Sequence, residues 1–150
     1  MICLSNYKKP SITVDIIIFN EKNNGNNGIT TNKELVLIKR KNEPFRGHWA
    51  IPGGFVDYGE LVENAALREA KEETGIDVKI KKLFGVYSDP KRDPRGHTIT
   101  IVYMANGDFS KMKADSDASD ARIISFEDIE DLNLAFDHKK ILCDVFKELK

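Results

Sequence analysis

Residues 54–76 read GFVDYGELVENAALREAKEETGI, and the fold turns on this stretch. From about Leu61 to Thr74 it is built from Ala, Leu, Glu, Arg and Lys without Gly or Pro, and Gly75 stands where a left-handed stop belongs. The pattern predicts a helix over 61–74. At about 100° per residue, Glu69, Glu72 and Glu73 occupy positions i, i+3 and i+4, so their carboxylates converge on one face. Val62, Ala65 and Ala66 share that arc, whereas Asn64, Leu67 and Lys71 fall on the other side. The acids therefore point along the face expected to pack inward. Three like charges in a partly dry cleft repel by several kcal/mol in total unless a cation or protons compensate them. A bound divalent ion is the economical answer; the alternative is a solvated acidic face. All-oxygen donors select hard cations, Mg²⁺ or Mn²⁺, and Mg²⁺ usually shares its shell with phosphate oxygens, which implies a phosphate-bearing ligand.

On the N-terminal side, residues 12–19 are rich in β-branched side chains and predict a strand; the Asn/Gly-rich stretch 20–32 reads as a loop. Leu35–Arg40 reads as a second strand. Pro44, Gly47, Pro52, Gly53 and Gly54 leave room only for a short strand at Trp49–Ile51, followed by a loop. On the C-terminal side, alternation predicts strands through Val78–Tyr87 and Thr98–Tyr103, a polar acidic loop from Asn106 to Asp120, and a strand at Arg122–Ser125. Ser125 and Asp128 form a capping box for a short helix, and Asp137 is placed to cap a last helix. That helix carries Ile141, Leu142, Val145, Phe146 and Leu149 as one apolar stripe.

A chain of 150 residues, 41% hydrophobic and 31% charged with a formal charge of −1, is expected to form one soluble domain over 1–150. Its longest apolar run, Ile16–Phe19, is far too short for a membrane helix, and the order of basic and apolar residues at the start is wrong for a secretory signal; a cytoplasmic home is expected. Near-neutral charge argues against a dedicated nucleic-acid binder. Cys3 and Cys143 imply neither a disulfide framework nor a zinc site.

Gly54, Glu60, Arg68, Glu69, Glu72, Glu73 and Gly75, with Ala70 and Ile76, stand in the spacing G-x5-E-x7-R-E-A-x-E-E-x-G-I. This resembles the signature of the Nudix hydrolases. At average usage of roughly 7% per position, seven fixed identities arise by chance on the order of once in a million such chains. The resemblance implies an α/β fold, an α/β/α sandwich with a mixed curved sheet between the box helix and the C-terminal helix. It implies that Glu69, Glu72 and Glu73 bind Mg²⁺ (or Mn²⁺) and that Arg68 orients them, pairing at i, i+4 with Glu72. Glu60 either joins the metal shell or braces the loop. Gly53 and Gly54 let the backbone approach, and a carbonyl such as that of Gly53 completes coordination; an ordinary turn is the other reading.

Outside the box, residues 86–97 and 134–138 look like segments of bacterial and archaeal ADP-ribose pyrophosphatases. That likeness implies a small nucleotide substrate, hydrolysed from ADP-ribose to AMP and ribose 5-phosphate by a metal-activated water. The proton acceptor is either a box glutamate or an acid of the later loop, which holds Asp115, Asp117 and Asp120; a solvated acidic turn is the alternative there. Arg46, Arg92 and Arg95 are candidates to pair with phosphate or ribose. Phe45, Trp49 and Tyr58 are candidates to stack on adenine, with Trp49 more readily placed in the core. His97 and His138 are titratable but read equally well as cap or packing residues. Homodimers are common among similar proteins. The rival readings are hydrolysis of other nucleoside diphosphate compounds or triphosphates, and a nucleotide-sensing domain without turnover. Regulators of the latter kind append a basic DNA-binding domain, for which a chain ending at Lys150 leaves no room.

Overall fold

A computed structural model of the chain describes residues 7–21, 33–113 and 120–150. The elements run β1 (Ser11–Asn20), β2 (Glu34–Lys39), β3 (Trp49–Ala50), β4 (Gly53–Phe55), α1 (Val62–Thr74), β5 (Val78–Tyr87), β6 (Thr98–Gly107), β7 (Ala121–Ser125) and α2 (His138–Glu148). The strands form one mixed sheet in the order β3-β2-β1-β6-β5, with β4 paired to β1 and β7 to β2.

β1 is the organising strand. It runs parallel to β6 for ten residues, from Ser11 opposite Thr98 to Asn20 opposite Gly107, and antiparallel to β2 and β4. A strand covered on both faces needs apolar residues on both, and this is what the Ile-Ile-Ile-Phe run provides. Val14, Ile16 and Ile18 pack with Ala65, Ala66 and Ala70 of α1, whereas Ile17 and Phe19 pack with Ile141, Leu142 and Val145 of α2. Two cores on opposite faces of one sheet make the α/β/α sandwich that the family resemblance implied. Among the described residues no helix is long and apolar enough to cross a membrane.

α1 ends as expected: Gly75 sits at φ 76° and its amide reaches Lys71 O at 2.9 Å. Three expectations are corrected. The loop after β3 contains β4, whose Gly53 and Gly54 pair with Asp15 and Val14. The capping box at Ser125 and Asp128 yields only a 3₁₀ turn at Ile129–Asp131, because the chain is drawn out at once alongside β3: Asn133 O accepts from Trp49 N, and Ala135 N donates to Trp49 O. Asp137 stands at the N-cap of α2 but makes no side-chain cap, since its carboxylate receives Arg92 instead.

Candidate active site

A cleft of about 370 Å³ opens between α1, β4 and the segment entering α2. Its acidic wall is set by the close approach of α1 to the sheet, which the small buried Ala65, Ala66 and Ala70 permit. Glu69 and Glu73 line the cleft; Glu72 does not, and its side chain is 59% exposed. Helical spacing explains the split, since Glu69 and Glu73 lie about 40° apart around the axis while Glu72 lies about 60° to the other side of Glu69. Glu73 accepts a hydrogen bond from Gly53 N at 3.0 Å. Burial, reinforced by Glu69 and Asp15, pushes its carboxyl up to about 8 despite that bond. Burial also raises Glu69, against the opposing pull of Arg68.

Arg68 ties the wall together. Its Nε donates to Glu60 Oε1 at 2.8 Å and its Nη2 to Glu60 Oε2 at 2.9 Å, while Nη1 donates to Glu69 Oε1 at 2.8 Å and Nη2 to Phe55 O at 3.1 Å. The expected pairing with Glu72 is the longest of the set, at 3.5 Å. Glu60 also accepts from Asp57 N at 3.0 Å, and these bonds, Arg68 foremost, hold its carboxyl down at about 2. Here Glu60 braces the β4–α1 loop. The two β4 glycines are guarded differently: a methyl at Gly53 would collide with the backbone at Val14 O, whereas one at Gly54 would meet only the movable Glu69 carboxylate.

The opposite wall is cationic and aromatic. Arg95 lies 5.1 Å from the Phe55 ring centre and 5.6 Å from that of Phe136, and its guanidinium also pairs with Asp93. Arg40 lies 4.9 Å from Phe136, and burial together with Arg95 lowers its affinity for its proton. Between the walls lies a buried polar group. Asp15 accepts from Thr100 Oγ1 at 2.6 Å and faces His138 Nε2 at 3.5 Å. His138 Nδ1 accepts from Ile51 N at 3.0 Å, which leaves the ring proton on Nε2, and burial lowers the affinity of the ring for a second proton.

The other residues named from the sequence are distributed as follows. Arg92 lines the cleft, but its side chain is 4% exposed and engaged with Asp137 and Thr98 Oγ1, so it holds α2 to the β5–β6 loop. Arg46 and Tyr58 are exposed and lie outside the cleft. Phe45 lines a separate cavity, and Trp49 packs against the α2-side core. Asp120 is half-buried away from the cleft, its carbonyl accepting from Lys39 N; Asp115 and Asp117 lie outside the described residues, as does Cys3. His97 Nε2 lies 3.1 Å from Ser88 O. Sequence reading missed Arg40, Asp15 and Phe136. Asp15 carried a signal, because a lone carboxylate inside a β-branched run must find partners when the strand is buried.

Among the described residues no three His, Cys, Asp or Glu side chains form a closed metal cage. The donors nevertheless fit a hard divalent cation. Glu69 and Glu73 are oxygen ligands at the edge of one cleft, and a Mg²⁺ ion that takes one or two carboxylates and fills its shell from phosphate and water needs no more from the protein.

A family profile of the Nudix domain matches residues 9–145. The chain belongs to the Nudix family of hydrolases. It is 49% identical over 141 residues to the ADP-ribose pyrophosphatase of Methanocaldococcus jannaschii, covering 94% of this chain and 76% of that protein. It is 34% identical over 149 residues to the ADPR responsive transcriptional repressor NtrR of Acinetobacter baylyi, covering 97% of this chain and 56% of the repressor. The Nudix domain of Shewanella oneidensis NrtR, solved in complex with ADP ribose, matches with a TM-score of 0.78 at 26% identity, covering 96% of this chain and 91% of that one.

Proposed function

We propose that the chain hydrolyses ADP-ribose to AMP and ribose 5-phosphate with Mg²⁺ or Mn²⁺ as cofactor. The observation that carries this reading is the two-walled cleft, with Glu69 and Glu73 on one side and Arg40 and Arg95 on the other. Such a site suits a diphosphate whose charge is shared between a cation on the acidic wall and guanidinium groups facing it. The likeness to an archaeal ADP-ribose pyrophosphatase supports the choice of substrate.

Glu69 and Glu73, with Glu72 at the rim and the carbonyl of Gly53, are the groups proposed to hold the cation; Glu60 and Arg68 fix the acidic wall. When bound, the cation supplies polarisation of a phosphoryl oxygen and a more acidic water. Water attacks one phosphorus in line, forming a P–O bond as the bridging P–O bond breaks and the second phosphate departs. A carboxylate takes the proton of the water, either from the cleft wall or from the later acidic loop, where Asp117 is the candidate.

The test incubates the purified protein with Mg²⁺ and a panel of nucleotides. Release of AMP chiefly from ADP-ribose, lost on chelation with EDTA and restored by Mg²⁺, supports the proposal; pyrophosphate released from triphosphates overturns it. The identity to an ADPR responsive repressor favours one second reading, binding of ADP-ribose without turnover. Saturable binding with no AMP formed would establish that reading instead.

A further inference from the structure

Glu73 is held by the amide of Gly53, and the run 51–53 that carries this amide is tied from three sides. Ile51 N donates to His138 Nδ1 at 3.0 Å, Pro52 O accepts from Ile16 N at 2.8 Å, and Gly53 N donates to Glu73 Oε2 at 3.0 Å. The first of these ties comes from a side chain 87 residues away.

The His138 ring is itself held in place. It projects from the first residue of α2, whose N-cap Asp137 accepts from Arg92 Nη2 at 2.7 Å and Nε at 3.0 Å. Its Nε2 faces Asp15 Oδ1 at 3.5 Å. Asp15 is fixed in turn by Thr100 Oγ1, which donates to Oδ2 at 2.6 Å. Oδ1 is thereby turned to the ring and to the backbone of β4, since a methyl on Gly53 would stand 2.6 Å from it. Asp15 and His138 are 6% and 3% exposed, and Asp15 is the sole charged residue of β1. Replacing a buried acid and its partner by apolar residues of similar size is often neutral or stabilising, so packing of the sheet gives no reason for this pair. Its reach to Ile51 does.

We propose that Asp15 and His138 are positioning residues for the acidic wall: Asp15 orients the ring, and the ring sets the run 51–53 so that Gly53 N keeps Glu73 in the cleft. This deepens the function proposed above and rests on it for the reaction that Glu73 serves.

The first test compares His138→Leu with His138→Asn. The two replacements are close in size, and only asparagine offers an acceptor near the place of Nδ1. His138→Leu should lower kcat for ADP-ribose by about 10- to 100-fold while KM stays within about threefold, because Arg40 and Arg95 on the facing wall are untouched. His138→Asn should stay within about fivefold of the parent. A packing role alone gives the opposite order, since leucine suits a buried site better than asparagine; equal losses, or faster turnover by His138→Leu, overturn the proposal. Asp15→Ala should also lower kcat, and combined with His138→Leu it should be no slower than the slower single variant. Losses that multiply overturn the relay from Asp15 through the ring.

Amide hydrogen exchange reads the same link without turnover. In His138→Leu the Gly53 amide should exchange at least about tenfold faster than in the parent, while Ile17 and Met104 in the centre of the sheet keep their protection. Unchanged protection of Gly53 overturns the proposal. Failure to turn over ADP-ribose would remove the proposed function, and the exchange measurement would still decide the positioning role.

Discussion

Replacing Gly54 and Gly53 singly by alanine should give opposite phenotypes, although the two residues are adjacent. At Gly54 the new methyl would stand 2.5 Å from the Glu69 carboxyl carbon, where ordinary contact begins at 3.4 Å. The obstacle is the end of a side chain, so the backbone keeps its place and the carboxylate retreats by about 1 Å, a misplacement that costs on the order of a hundredfold in rate. At Gly53 the methyl meets Val14 O and, at 3.0 Å, Asp15 Cα, both of them backbone of β1. β4 cannot then stay paired, and the loss is about 2–4 kcal/mol. For a chain of this size each kcal/mol lowers Tm by about 2–4 °C, so Gly53→Ala should melt about 4–16 °C below the parent. Thermal unfolding and steady-state hydrolysis of ADP-ribose in excess Mg²⁺, run on both variants, read the two effects. Gly54→Ala should melt within about 3 °C of the parent and turn over about a hundredfold more slowly. Full turnover by Gly54→Ala would refute the argument that the position of Glu69 is what the glycine protects.

Glu73→Gln keeps the size of the side chain and its acceptor for Gly53 N but removes the charge; turnover should fall at least about a hundredfold, or about 2.7 kcal/mol of barrier. Near-normal rates would remove Glu73 from the cation-holding set. His138, buried and with Nδ1 occupied by Ile51 N, resists a second proton when folded. Below its ordinary value of 6.5 the unfolded chain binds that proton more readily, so stability falls as pH drops through this range. Urea midpoints at pH 7 and pH 5 should converge in His138→Gln relative to the parent; an equal loss in both proteins would contradict the assignment.

The box helix was legible because its composition, its periodicity and the stop at Gly75 agree over a long stretch. β4 was not, because Gly53-Gly54-Phe55 carries the residues of a turn; the glycines are there because β1 and Glu69 leave no space for a Cβ. Spacing placed Glu69, Glu72 and Glu73 on one arc, but which end of the arc meets the cleft depends on how α1 rolls on the sheet, and the sequence is silent on that. The arginines show the same limit. Arg92 and Arg95 lie in one loop, look alike and both line the cleft, yet the first is buried and held by Asp137 while the second stays half-exposed against Phe55 and Phe136. Asp137 itself reads as a helix cap until that distant partner is known.

The parallel pairing of β1 with β6 has a kinetic consequence. The strand that carries Asp15 leaves the ribosome early, but its longest partner begins at Thr98, and the His138 that faces Asp15 is made later still. Contacts this far apart in the chain are slow to form. The cleft should therefore assemble late, with the Ile16–Phe19 run open to chaperones or to self-association in the meantime. Faults in β6 should thus show first as poor recovery of folded protein, before any change in catalytic constants.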